Sequence, residues 1–245
     1  MTPAPKFTGC RACPSMESVK AAIAITRESA FQFGQMDLQS PLPNDFVRTY
    51  NRAILYLLWH QFFAIATRGI RFSYIALGEV SSISGIATLT DKDTGTGHKT
   101  RLVWMSPALL EHIRRVELSV EEVRVKLAVE RGMEEAAIFF LDTALQAVDV
   151  TPTSINSIAS EFFPFPANTP RRIARLSLCE VSLPNEMVDT YMGHWRERQE
   201  PWGRWSSFDY AVYIERLRSV IPPLLHGLGF EVPPIRRTHG RRTEK

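Results

Sequence analysis

The chain has 245 residues, 44% of them hydrophobic and 22% charged, enough to bury one substantial core and compatible by length with one domain or two. Its formal net charge of +3 is mild, and its three cysteines cannot form a disulfide framework without leaving one over, which points to a reducing compartment. The longest apolar stretch, Ala53 to Ala66, is interrupted by His60 and Gln61 and is too short to span a bilayer, so it reads as a buried helix. Met1 to Pro14 has no charged start followed by an apolar run, so the expected compartment is the cytoplasm and no membrane contact is expected.

In chain order, residues 1–45 form an N-terminal extension that mixes Pro, Gly and Ser around a short helical stretch near Val19 to Arg27. Cys10 and Cys13 make a Cys-x-x-Cys pair, but no second pair or nearby His completes a zinc site, so no metal is expected. From Asp45 to Arg68 the apolar positions Phe46, Ile54, Leu57, Leu58, Phe62 and Ile65 recur at helical spacing, with Asn44 or Asp45 able to cap the start. A second helix is predicted over Ser73 to Leu77. Ser84 to Leu89 and Thr100 to Met105 alternate as strands on either side of a polar, Gly-rich turn, Asp91 to His98.

Helical patterns resume at Pro107 to Arg115, Val120 to Glu130, Glu134 to Val148, Arg171 to Cys179, Asn185 to Met192 and Phe208 to Val220. Cys179 is expected as core filler, and Pro222 with Pro223 should stop the last helix because neither can donate a helical N–H. Arg236, Arg237, Arg241, Arg242 and Lys245 make residues 231–245 a basic tail suited to phosphate backbones. The expected fold is mainly α with a small antiparallel β-sheet (α+β), in which residues 46–230 form the principal domain.

One motif is set aside at once. Gly95-Thr96-Gly97-His98-Lys99-Thr100 echoes a phosphate-binding loop, but His98 spoils the spacing and the segment lies between two strands rather than between a strand and a helix. Phosphodiester cleavage without a metal needs a nucleophile, cationic donors on the non-bridging oxygens and an acid for the leaving oxygen. Arginine suits the donors because its planar fork stays charged and can bind two oxygens at once.

Three separated patches offer such groups: Gly69-Ile70-Arg71-Phe72-Ser73, Asn168-Thr169-Pro170-Arg171-Arg172 and Tyr191-Met192-Gly193-His194-Trp195. Their order resembles the active-site boxes of the tyrosine recombinase (phage integrase) family, and the resemblance runs from about Phe46 to Leu225. It implies that Arg71 is the first clamp arginine, with Tyr74 where the family usually has glutamate. Lys92, on the hairpin, would be the general acid, with Lys99 as runner-up. Lys99-Thr100-Arg101-Leu102-Val103 is similar to the family's Lys-x-Arg-x-Val strand, and Lys99, Arg101 and Arg172 would contact DNA.

Arg171 would be the second clamp arginine. Asn168 stands where the family has histidine; it can hydrogen-bond a phosphate oxygen but cannot shuttle a proton. His194 would donate to the scissile phosphate. Arg196 to Trp205 contains no tyrosine, so Tyr213 becomes the candidate nucleophile and Tyr210 the alternative. Trp195, Trp202 and Trp205 interleave with Arg196, Arg198 and Arg204, a mixture able to stack on bases or to pin a loop. The resemblance thus implies site-specific DNA recombination through a 3′-phosphotyrosyl link, acting on double-stranded DNA by self-assembly, with neither metal nor nucleotide cofactor. The alternative is a catalytically inactive DNA-binding protein on the same fold.

Overall fold

The apolar stretch singled out above becomes the centre of the structure. In a computed structural model describing residues 14–67, 74–93, 98–128, 137–166, 168–194, 201 and 206–234, with backbone alone for 90–93 and 98–100, helix α2 (Phe46–Ile65) is buried on nearly every face. It touches α1 (Met16–Gln35), α3 (Pro107–Leu127), α4 (Pro152–Ala159), α5 (Thr169–Glu180) and α7 (Tyr210–Leu228). A helix with almost no solvent face must satisfy most of its polar side chains internally. Asn51 therefore donates to the Leu141 carbonyl and accepts from its N–H at 2.7 and 2.8 Å, and Gln61 does the same for Ile75 at 2.8 and 3.3 Å. Each amide holds an extended segment as a neighbouring strand would.

Helix α1 is longer than its local pattern predicts. Ser15 caps it through the Ser18 N–H, and it continues past Arg27 because Ala30 and Phe33 go on burying against α2. Residues 14–45 thus share the core of the rest of the chain rather than standing apart as an extension. The C-terminal end joins them. Glu231 accepts from and donates to the Tyr56 hydroxyl at 2.8 and 2.7 Å, and Arg27 donates to the Gly229 carbonyl at 3.1 Å and the Glu231 carboxylate at 2.7 Å. The segment comes so near α1 that a Cβ on Gly34 would stand 3.1 Å from the Pro234 carbonyl oxygen. The stretch 231–234, expected within a basic tail, is therefore docked; residues 235–245 lie outside the described residues.

Strands β1 (Ile86–Asp93) and β2 (His98–Trp104) form the expected antiparallel hairpin, in register from Ile86 opposite Trp104 to Thr90 opposite Thr100. The register then slips, because Asp91 and Lys92 face the single residue Lys99 before Asp93 pairs with His98. The other departures have local reasons. No helix covers Tyr74 to Ala76; one 3-10 turn, Leu77–Glu79, follows. The two patterns around Pro107 and Val120 fuse into the single α3, which Ser106 caps through the Leu109 N–H.

Residues 137–148 are not helical. Ile138, Phe139, Phe140 and Leu141 are all buried, which an amphipathic helix would not allow, and β3 (Phe140–Leu141) pairs with β4 (Ala147–Val148) around a turn closed by the Asp142 carboxylate. Helix α4 has a sequence signal that the apolar periodicity hides: the Thr151 hydroxyl and the Ser154 hydroxyl cap each other's backbone, with Pro152 at the first turn.

Helix α7 runs straight past Pro222 and Pro223 to Gly229, whose φ of 93° ends it. Each interior proline costs a helix about 3 kcal/mol, while burying Ile221, Leu225 and Leu228 returns about 1.5–3 kcal/mol apiece, so packing carries the helix onward. Among the described residues no helix is long and apolar enough to cross a membrane.

Candidate functional site

Helix α2 ends at Ala66, which takes a left-handed conformation with φ 49°. A non-glycine residue there is strained by about 1–2 kcal/mol, and the end of a buried helix also leaves carbonyls in want of donors. Two arginines supply them. Arg101, on β2, donates to the Ile65 carbonyl at 2.8 Å and the Ala66 carbonyl at 2.9 Å, and also reaches the Tyr191 carbonyl. Arg171, in the first turn of α5, bridges the carbonyls of Ala66 and Met192. Tyr191 and Met192 close α6 (Asn185–Met192), so the two guanidinium groups tie together the C-terminal ends of two helices, where the backbone dipoles place negative charge. The Tyr191 hydroxyl adds a bond to the Ala64 carbonyl.

This clasp brings the second and third sequence patches together and holds the helix end that leads into the first. Arg171 belongs to the second patch. Met192 belongs to the third, and His194 follows two residues later, exposed, with its N–H on the Asp189 carbonyl at 2.8 Å behind the left-handed Gly193. Ala66 leads into the first. Arg71 itself lies outside the described residues, as do Trp195, Arg196, Arg198, Trp202, Arg204 and Trp205, and Cys10 with Cys13. Tyr74 is directed to α3: its hydroxyl donates to Glu117 at 2.9 Å, and the same carboxylate accepts from the Leu77 N–H at 3.1 Å.

The remaining candidates divide by burial. Arg101, expected on DNA, is fully buried and its guanidinium grips three backbone carbonyls, so this conformation offers it to no DNA contact, and Arg171, 5% exposed, is enclosed in the same way. Arg172 is exposed on the outer face of α5. Lys92 and Lys99 sit across from one another at the register slip of the hairpin, with only their backbone described. Asn168 occupies the N-cap position of α5 without making a side-chain cap bond, and among the described residues its buried Oδ1 has no hydrogen-bond partner. Cys179, expected in the core, is exposed.

Tyr213 lies beside the clasp but is wholly enclosed. Its ring meets Phe208 edge-on at 5.2 Å and Tyr210 at 6.2 Å. Burial pushes its phenol well above the ordinary tyrosine value, Tyr191 adds to the shift and the nearby Arg101 opposes it. Burial also raises the half-buried Tyr210.

Two features of the cluster escape sequence reasoning: the role of Arg101, and Thr67. Thr67 is 1% exposed, follows the carbonyl that both guanidinium groups share, and among the described residues its hydroxyl has no hydrogen-bond partner. Comparison with protein-family models, with curated proteins and with solved structures returned no match.

Proposed function

We propose that the protein is a DNA strand-cleaving and rejoining enzyme of the tyrosine recombinase type, acting on double-stranded DNA. The observation that supports this most is the bridge made by Arg171 between the carbonyls of Ala66 and Met192, 105 and 21 residues away in sequence, which gathers the stretches 66–67, 168–172 and 192–194 around one cationic centre. In this reading Arg71, Arg171 and His194 neutralise the pentavalent phosphate, Lys92 protonates the departing 5′ oxygen and Tyr213 forms the 3′-phosphotyrosyl link, with energy conserved in that bond. Asn168 can donate to a phosphate oxygen but moves no proton. The exposed Arg172 and Arg175 of α5 suit the flanking backbone. Since Tyr213 is enclosed, attack requires the start of α7 to shift so that the phenol meets the phosphate; Tyr210, at the first position of that helix, is the alternative nucleophile.

A second reading, a non-catalytic DNA-binding protein, draws on the same enclosure of Tyr213 and on Asn168 in place of a proton shuttle. Trapping separates the two. Duplexes selected for binding from a random pool are nicked so that cleavage releases a short fragment and cannot reverse. The enzyme reading expects a covalent protein–DNA adduct that survives denaturation and disappears in Tyr213→Phe. Salt-sensitive binding without any adduct from the wild-type protein would leave the second reading standing.

A further inference from the structure

Helix α1 packs one side against α2 through Val19, Ala22, Ile23, Ala30 and Phe33, all buried. A helix at a protein surface ordinarily turns a polar face to water. The opposite face of α1 departs from this. Between residues 20 and 31 it presents the exposed Ala21 and Ala24 and the half-buried Ile25 and Phe31, with Lys20 and Glu28 as its exposed charges. Ala24, Ile25 and Phe31, together with Glu28 and the Arg27–Glu231 ion pair, line a shallow groove of about 460 Å³. Contiguous apolar surface rimmed by charge marks a contact face.

The charges point to its occupant. Lys20 and Glu28 lie one turn to either side of Ala24 along the helix. When a second copy crosses in the opposite direction about a two-fold axis at Ala24, each Lys20 stands level with the partner's Glu28, since the two are equally far from Ala24 in opposite directions. A parallel pair would instead set lysine against lysine and glutamate against glutamate. The face is therefore self-complementary only in the antiparallel sense, as a two-fold dimer requires. The same crossing places alanines where small side chains let helix axes approach to about 8–10 Å. It also brings Met16, 37% exposed, level with the partner's Gln32, next to the Phe31 that lines the groove.

We propose that the outer face of α1 is a homodimer interface, on which two copies of this chain pair as antiparallel helices without DNA. Helix α1 carries none of the residues assigned to strand cleavage, so the dimer stands or falls independently of that reading.

The test is sedimentation equilibrium of the full chain in the absence of DNA. Wild-type protein shows a reversible monomer–dimer equilibrium that weakens as salt is added. Lys20→Glu alone and Glu28→Lys alone each oppose like charges at two symmetric places and weaken the dimer about tenfold. Mixing the two variants restores association, because one chain then carries acid at both positions and the other carries base at both. That recovery also excludes misfolding as the cause of the loss. The double variant, Lys20→Glu with Glu28→Lys, associates like wild type, while Ala24→Arg, which sets a long cation on the two-fold in both copies, does not associate. A chain that stays monomeric at every concentration, whether residues 235–245 or an unrelated protein covers α1, overturns the proposal. A dimer indifferent to Lys20→Glu, or a mixture of the single variants that stays monomeric, overturns it as well.

Discussion

Helix α2 buries basic side chains at two places, and the two meet the same difficulty in opposite ways. At its C-terminal end, Arg101 and Arg171 keep their charge and are surrounded by carbonyl oxygens. In its middle, His60 and the α3 residue His112 hydrogen-bond to each other through Nδ1 atoms 2.9 Å apart, with His60 stacked on Phe230 at 4.8 Å and His112 against Tyr56 at 5.1 Å. Burial lowers His60 to about 3, and burial, then His60 and Arg115, lower His112 well below the ordinary histidine value. An imidazole can give up its proton near neutrality and a guanidinium cannot. The histidines therefore sit among aromatic rings as a neutral donor–acceptor pair. The arginines are tolerated only where two helix ends offer carbonyl dipoles.

The largest effect should come from breaking the charged side of this contrast. Arg101→Met strips the donors from the carbonyls of Ile65, Ala66 and Tyr191 at once, and the expected loss is about 3–5 kcal/mol of unfolding free energy, measured in urea. Arg101→Lys retains the charge without the fork and should recover only part of it. Full stability in the methionine variant would mean that the clasp holds nothing together.

On the neutral side the expected effect depends on pH. The folded protein holds fewer protons on the two imidazoles than the unfolded chain does, so the stability they contribute is complete above about pH 6.5 and falls as the pH drops toward 3. Both imidazoles should steepen the loss of stability on acidification. Unfolding curves from pH 7 to 4 test this, and His112→Leu should make the pH dependence shallower by leaving His60 alone. A slope unaltered by that substitution would assign the acid sensitivity to other groups.

The smallest effect sharpens the boundary of the histidine cluster. The Tyr56 hydroxyl accepts from the Glu231 N–H and donates to its carbonyl, holding the C-terminal segment whose Phe230 covers His60. Tyr56→Phe should cost about 1–2 kcal/mol and speed hydrogen exchange at residues 229–234, with little change at the arginine clasp. Equal loosening at Arg171 would show that the two regions do not open independently.

Legibility in the sequence followed the range of the signals. Asn185 to Met192 was placed to the residue, because a proline before it and a glycine after it mark both ends within one turn. The hairpin was legible from alternation, and the continuous helix α3 was read as two because Glu117 to Ser119 interrupt its apolar face. The helix forecast over Glu134 to Val148 failed where a run of four buried residues has no period to distinguish strand from helix. In the candidate site, Arg171 and His194 stand out in the sequence through short motifs. Thr67 carries no motif, and the enclosure of Arg101 and Tyr213 leaves none, since an arginine on a strand and a tyrosine on a helix look the same whether they face water or a core.

The sequence by itself determined a mainly helical chain with a small antiparallel sheet, the central helix from Phe46, and the order in which basic and aromatic residues arrive. These depend on spacing, caps and turns, which act over four or five neighbours. Tertiary structure alone decided that α1 shares the common core, that α7 passes through two prolines, and that Arg101 and Arg171 meet on one carbonyl while Tyr213 is sealed beside them. Those outcomes are set by which surfaces exclude water together, a balance among elements up to 200 residues apart that no local pattern encodes.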